Sequence, residues 1–178
     1  MKNNIVYKKV KDIANISRGK VYSKQYINDN KGNYPLYSSQ TINNGELGRI
    51  DSYDFDGNYI NWTTDGANAG SVFFRTGKFS VTNVSGIIDI NVPNLNKKYI
   101  YYIIQKEAPK YVNRGMGNPK LMSNVMGEVK IAIPSLDVQN EIVEVLDKFT
   151  ELEAELEAEL EARTKQYEYY RNKLLTFE

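Results

Sequence analysis

Glu128-Val129-Lys130 is the stretch of this sequence whose residue types and spacing come closest to chemistry. A glutamate two residues before a lysine is how many nucleases set a metal-binding carboxylate beside a cation for metal-assisted hydrolysis. The same residues fit an alternating strand with Glu128 and Lys130 outward, running into Ile131-Ala132-Ile133-Pro134, and no convincing partner acid precedes them. Gly115-Met116-Gly117-Asn118-Pro119-Lys120 is glycine-rich but lacks the second proline and the aromatic of an amine methyltransferase motif. With no histidine and no cysteine in the chain, imidazole bases, thiol nucleophiles, Cys/His zinc sites and disulfides are excluded. The sequence reads as non-catalytic, with no metal and no cofactor of its own.

Four polar loops with interleaved aromatics, residues 17–24, 37–44, 62–68 and 113–120, offer binding instead. Arginine and lysine reach phosphates or guanine edges, asparagine and glutamine bond adenine bidentately, and glycine lets a backbone approach closely. The candidate DNA-binding residues are therefore Arg18, Lys20, Lys24, Ser39, Gln40, Asn43, Thr64, Asn68, Arg114, Asn118 and Lys120. Arg18, Lys20, Arg114 and Lys120 are expected near one another on a basic face, with Gln40, Asn43 and Asn68 closer to the bases. Asn, Ser and Gly also dominate ordinary turns, so any one loop alone is weak evidence. Charge points the same way: residues 1–136 hold 18 basic and 10 acidic side chains, whereas residues 137–178 hold 5 and 12. A basic body with an acidic tail suits a polyanion partner for the body.

The elements that carry these loops are legible in outline. Residues 1–95 read as short strands, at 34–37, 59–62, 71–74 and 86–90, broken by Asn44-Gly45, Asp56-Gly57, Asp65-Gly66 and Thr76-Gly77. Tyr99, Ile100, Ile103 and Ile104 keep helical spacing after Asn96 and predict a helix over 97–107 that Pro109 closes. Residues 129–134 alternate as one more strand. Ser135 or Asp137 can then cap a single long helix, because no glycine or proline interrupts residues 136–178. The fold expected is α+β: a mixed, β-rich globular domain over 1–135 and a long helix over 136–178.

That helix carries Ile142, Val145, Phe149, Leu152, Leu156, Leu160, Tyr167, Tyr170, Leu174 and Phe177 mostly at three-four spacing, the pattern of a coiled-coil seam. Phe149, Leu152, Leu156, Leu160, Tyr167, Tyr170 and Leu174 are the expected dimer interface. The seam stutters in a tandem Glu-Leu-Glu-Ala repeat over 151–162, where each four-residue step turns the stripe by roughly 40°. A solvated, Glu-rich helix is the plainer reading of that repeat, and the aromatic residues beyond it favour packing. Apolar stretches are short, and Met1 is followed by Lys2, Asn3 and Asn4 rather than a signal-peptide core, so a soluble cytoplasmic protein is expected.

The order of these pieces resembles the specificity subunits of type I restriction-modification enzymes. Lys9-Val10-Lys11-Asp12-Ile13-Ala14-Asn15-Ile16 through Gly19 is similar to the opening of one of their target recognition domains. Asn33-Tyr34-Pro35-Leu36-Tyr37-Ser38, Asp65-Gly66-Ala67-Asn68-Ala69-Gly70 and Val84-Ser85-Gly86 are similar to its middle. Ile131-Ala132-Ile133-Pro134-Ser135-Leu136 with Gln139 and Ile142 resembles the exit into the conserved helix, and Arg163, Gln166 to Arg171 and Leu174-Leu175 resemble that helix's distal end. Ser135 stands where the family usually has a second proline and Val138 where it has a glutamate. The resemblance covers nearly the whole chain, but as a half subunit with one recognition domain and one helix where the family typically has two of each.

What the resemblance implies is a sequence-specific reader of double-stranded DNA. Two helices pack antiparallel and hold two recognition domains over a bipartite, interrupted site, which a half subunit can rebuild only as a homodimer. The modification (methyltransferase) subunit, which carries the S-adenosylmethionine chemistry, would dock on this scaffold, and a restriction subunit can join. The alternative is a coiled-coil adapter that uses its β region for protein partners.

Overall fold

The computed structural model describes residues 5–115 and 117–176, so Phe177 of the seam, Met116, and the Lys2, Asn3 and Asn4 that follow Met1 lie outside the described residues. The chain divides into two compact units, Met1–Gln139 and Asn140–Glu178. The first is a mixed α+β domain and the second is helical.

Among the described residues eight strands form two sheets. β1 (Val6–Lys9) and β8 (Lys130–Ile133) make an antiparallel ribbon that joins the two ends of the domain. The larger sheet has the order β2-β7-β5-β6-β3-β4, built from β2 (Ala14–Arg18), β3 (Lys31–Tyr37), β4 (Glu46–Ile50), β5 (Phe55–Thr63), β6 (Val72–Val81) and β7 (Ser85–Ile90). Its pairings are antiparallel except β3 with β6, which run parallel at Leu36–Ser80 and Tyr37–Val81. The five strands expected from sequence fall within or nearly on β3, β5, β6, β7 and β8. β1, β2, β4 and the six-residue helices α1 (Lys24–Asp29) and α3 (Ser123–Glu128) have no counterpart in that expectation.

The core lies where β5 and β7 meet. β5 alternates at first and is then buried at every position from Ile60 to Thr63, because Ile87, Ile88 and the Trp62 ring close over it. Trp62 is fully buried and its indole N–H donates to Leu121 O at 2.9 Å. Its ring lies flush on Gly86, where an added Cβ would sit 2.1–2.4 Å from three ring carbons. At the far end Phe79 gathers Phe55, Tyr59 and Tyr37 with ring centroids 5.4, 5.9 and 5.9 Å away.

Helix α2 (Lys97–Glu107) starts at Asn96, whose Oδ1 accepts from Lys98 N at 2.9 Å and Tyr99 N at 3.2 Å. It buries Tyr99, Ile100 and Ile104 and gives way to a 3-10 turn (Ala108–Tyr111) at Pro109. Tyr99 donates its hydroxyl to Ala132 O on β8 at 2.7 Å. Helix α4 runs from Leu136 to Leu175 without a break, about 60 Å at ~1.5 Å per residue. Its first turn is locked by Gln139, which is buried, donates to Pro134 O at 2.9 Å and accepts from Asn96 N at 3.0 Å. Removing that side chain would strand a buried N–H and a carbonyl.

A candidate nucleic-acid interface

Three of the four polar loops are hydrogen-bonded to a fifth segment, the turn from β6 to β7 and the start of β7, and the fourth is joined to them through residues 62–68. Thr82 N donates to Tyr37 O at 2.9 Å, and the Thr82 and Ser38 hydroxyls lie 3.2 Å apart, which ties in residues 37–44. Lys20 bridges to Thr82, and Gly19 N reaches Ser85 O at 3.1 Å, which ties in residues 17–24. Thr64 N donates to Val84 O at 3.0 Å. Thr64 O in turn accepts from Leu121 N at 2.9 Å, and Gly66 N donates to Pro119 O at 3.0 Å, which joins residues 62–68 to residues 113–120. Asn68 closes the ring by donating from Nδ2 to Ser39 O at 3.2 Å. Thr82 and Asn83 are not among the residues singled out from sequence, because Thr82-Asn83-Val84 looks like any short strand connection.

The candidate residues fall into different settings on this surface. Arg18, at the end of β2, uses Nη2 to bond Thr64 Oγ1 at 3.1 Å and Asn83 O at 2.5 Å. Thr64 is itself fully buried, so its hydroxyl props Arg18 from beneath. Lys20 is exposed but paired with Asp54, which raises its pKa through that hydrogen bond, and Tyr22 also donates to Asp54 at 2.6 Å. Lys120 is exposed and stands 3.8 Å from Asp65. Arg114 has no ion pair among the described residues and lines an open concavity of about 460 Å³ with Thr41, Asn68 and Phe73.

Lys24 borders a second concavity of about 440 Å³, with Ser38, Leu47 and Asn83. Asn118 and Lys120 border a hollow of about 220 Å³ within their own loop, which Asn113 and Lys120 close by pairing both ways, at 2.9 and 3.0 Å. Gln40 turns inward to Glu46 O. Asn43 is exposed on a tight loop with φ of 51°. The arrangement brings Arg18, Thr64, Asn68, Ser39 and Lys120 into one bonded network, with Asn118 beside Lys120 at its edge.

Glu128 has neighbours unlike those of a nuclease carboxylate. It is paired with Lys11 and Lys9, the latter at 2.6 Å, and these two hydrogen bonds pull its pKa down to about 2. Lys130 lies 5.2 Å from the Tyr7 ring centroid instead. Glu128 thus pins the segment after β1 to the end of α3, and among the described residues no group of three acids gathers to hold a metal.

Residues 2–162 match the family model of the type I restriction modification DNA specificity domain. The chain belongs to that family. A Mycoplasma pneumoniae chain named as the N-terminus of a type I specificity subunit is 48% identical over 175 residues, with 94% of each chain covered. The specificity subunit of the type I restriction enzyme MpnII from the same organism is 42% identical over 172 residues, with 94% of this chain and 52% of that one covered. The crystal structure of a type I restriction-modification S subunit from M. genitalium superposes with a TM-score of 0.77 at 20% identity, covering 99% of this chain and 47% of that one. The chain thus spans about half the length of MpnII's subunit and of the solved S subunit. It is a type I specificity component, concerned with DNA recognition and not catalysis.

Proposed function

We propose that the Met1–Gln139 unit is a target recognition domain that reads one half-site of duplex DNA through the bonded loop surface, and that α4 pairs antiparallel with the α4 of a second copy. The observation that carries this reading is the convergence of residues 17–24, 37–44 and 62–68 on the Thr82–Val84 turn, with residues 113–120 bonded to residues 62–68, in a family defined by DNA specificity. Two identical domains related by a two-fold axis read an inverted repeat with an unread spacer. The modification subunit docks on this scaffold and brings S-adenosylmethionine with it, a restriction subunit can join, and the complex works in the cytoplasm. Among the described residues no helix is long and apolar enough to cross a membrane.

Charge along α4 supports the antiparallel orientation. Residues 137–147 carry Asp137, Glu141, Glu144 and Asp147 and no base, while residues 163–173 carry Arg163, Lys165, Arg171 and Lys173 against Glu168 alone. Antiparallel pairing sets acid against base at both ends of the pair, and parallel pairing sets like against like.

Alanine at both Arg18 and Lys120 is expected to weaken duplex binding and to lower its salt slope by roughly two units, one for each phosphate left without its cation. A salt titration of binding reads this directly. An unchanged affinity and slope would take both residues off the DNA surface.

The tandem repeat acts as a ruler in this arrangement. Deleting residues 155–158 shortens each helix by ~6 Å, against ~3.4 Å per base pair. Methylated sites mapped with the modification subunit present should show a spacer shorter by about one to two base pairs, with the same half-site bases. Modification that persists at the original spacing would refute the ruler; altered half-site bases would put the repeat on the reading surface.

A further inference from the structure

Arg75 lies in the middle of β6, opposite Tyr59, and is only 2% exposed, although arginine is almost never fully buried unless paired. Its Nε–H donates to Asn61 Oδ1 at 3.3 Å. Its guanidinium carbon is 3.6 Å from the centroid of the Tyr37 ring and 4.4 Å from that of Phe73, a cation held between two π-faces. Nη1 and Nη2, with four N–H donors between them, are buried and make no hydrogen bond of good geometry among the described residues. Glu46, the carboxylate whose charge acts on Arg75, is already gripped by Arg49, through Nε to Oε1 at 2.9 Å and Nη2 to Oε2 at 3.2 Å. Burial lowers the guanidinium pKa to about 10, so the group stays charged at neutral pH. A buried charge with unmet donors is strongly destabilising, and an apolar side chain of similar volume would cost less.

What covers the unmet nitrogens is part of the candidate interface. A Cβ built on Gly45 would lie 3.0 Å from Arg75 Nη2 and 3.0 Å from Gln40 O, so the guanidinium sits directly beneath residues 38–45. That segment is a small loop closed by Ser38 N to Gly45 O at 2.9 Å. Asn43, Asn44 and Gly45 follow one another in the left-handed region, with φ of 51°, 51° and 79°. Phe73, on the other side of the cation, is in the wall of the concavity that Thr41, Asn68 and Arg114 also line.

We propose that Arg75 is a DNA contact kept covered in the free protein: residues 38–45 move aside as duplex DNA docks, and Nη1 and Nη2 take a pair of acceptors from the duplex. Phosphate oxygens and the O6/N7 edge of guanine both present such a pair to an arginine fork. The ring sandwich already fixes the plane of that fork, so little freedom is lost on docking. The inference rests on the DNA-reading function proposed above.

Arg75→Met keeps an apolar stem and removes the fork. The full chain and this variant are bound to a randomised duplex pool, the pool is titrated with salt, and the bound fraction is sequenced. With phosphate as acceptor, affinity falls on all sequences alike and the salt slope drops by about one unit. With guanine as acceptor, discrimination at one half-site position falls by about ten-fold or more. Affinity, slope and base preference equal to the wild type's would overturn the proposal and leave Arg75 a clamp between Tyr37 and Phe73. Arg18→Ala run in parallel separates the role of Arg75 from DNA reading itself. If it weakens binding and Arg75→Met does not, the inference alone falls; if the wild-type chain binds no duplex, the DNA-reading function falls and takes the inference with it. Should Arg75→Met fail to fold, the wild-type protein carries the test: the Arg75 guanidinium resonances shift on addition of the pool, and unmoved resonances overturn the proposal.

Discussion

Glutamine in place of Leu152, Leu156 and Leu160 is expected to convert the chain from dimer to monomer while leaving α4 helical. These three side chains and Phe149 are exposed on one stripe and border a single furrow of about 520 Å³. Burying each leucine against a partner contributes about 1.5–3 kcal/mol, and a two-fold dimer loses the contribution of both copies. Even with allowance for non-additivity, the dimer dissociation constant should rise at least about a thousand-fold, or roughly 4 kcal/mol. Glutamine has nearly the helix propensity of leucine. The flanking i,i+4 pairs Glu144–Lys148 at 2.7 Å and Glu161–Lys165 at 2.5 Å also remain. Light scattering at micromolar concentration, with far-ultraviolet dichroism on the same samples, reads both effects. A wild-type chain that is already a monomer there would remove the homodimer, and a variant that stays dimeric would move the interface off this stripe.

Gly86→Ala is expected to be among the most damaging single methyls in the Met1–Gln139 unit. Its Cβ would fall 2.1–2.4 Å from the Trp62 ring, and neither partner has room to yield. Trp62 is anchored by its N–H to Leu121 O, and β7 is paired on both edges, with β2 and with β5. Overpacking of this kind costs about 1–3 kcal/mol and sometimes more, which for a chain of this size lowers the melting temperature by about 2–12 °C. Because Gly86 pairs with Arg18 across β2 and β7, DNA affinity should fall along with stability. Adding Trp62→Phe makes space for the new methyl, so the double variant should melt higher than the two single losses summed would give. A Gly86→Ala protein that melts with the wild type would contradict this packing.

These two expectations rest on parts of the molecule of unequal legibility. Helix α4 could be read almost to the residue, because forty positions without glycine or proline and a three-four apolar spacing leave no other local choice. Helix α2 was as clear, since Asn96 caps it and Ile100 and Ile104 face one way. β1 was not: Val-Tyr-Lys-Lys is exposed at all four positions, so it carries no alternation, and its partner β8 lies at the other end of the domain. The parallel β3–β6 pairing likewise follows from long-range packing that no local pattern records.

At the candidate interface, residue type did not show which side chains are covered or paired. Thr64, in a glycine-rich stretch, looks like a loop residue open to a groove, and burial beneath Arg18 makes it a support. Arg75, on a strand next to Thr76-Gly77, looks like a solvated charge, and the rings of Tyr37 and Phe73, brought in from residues far and near in sequence, enclose it. Lys20 and Lys120 read as free cations because their partners, Asp54 and Asp65, lie 34 and 55 residues away.

Whether two copies of this chain read the two halves of a DNA site for a modification partner is decided by mapping methylated bases in a host that carries the chain with its modification subunit. Methylation is expected at an inverted repeat with an unread spacer, and only when this chain is expressed. Methylation at an asymmetric site would contradict the two-fold arrangement, and a methylation pattern indifferent to the chain would contradict its role as the reader.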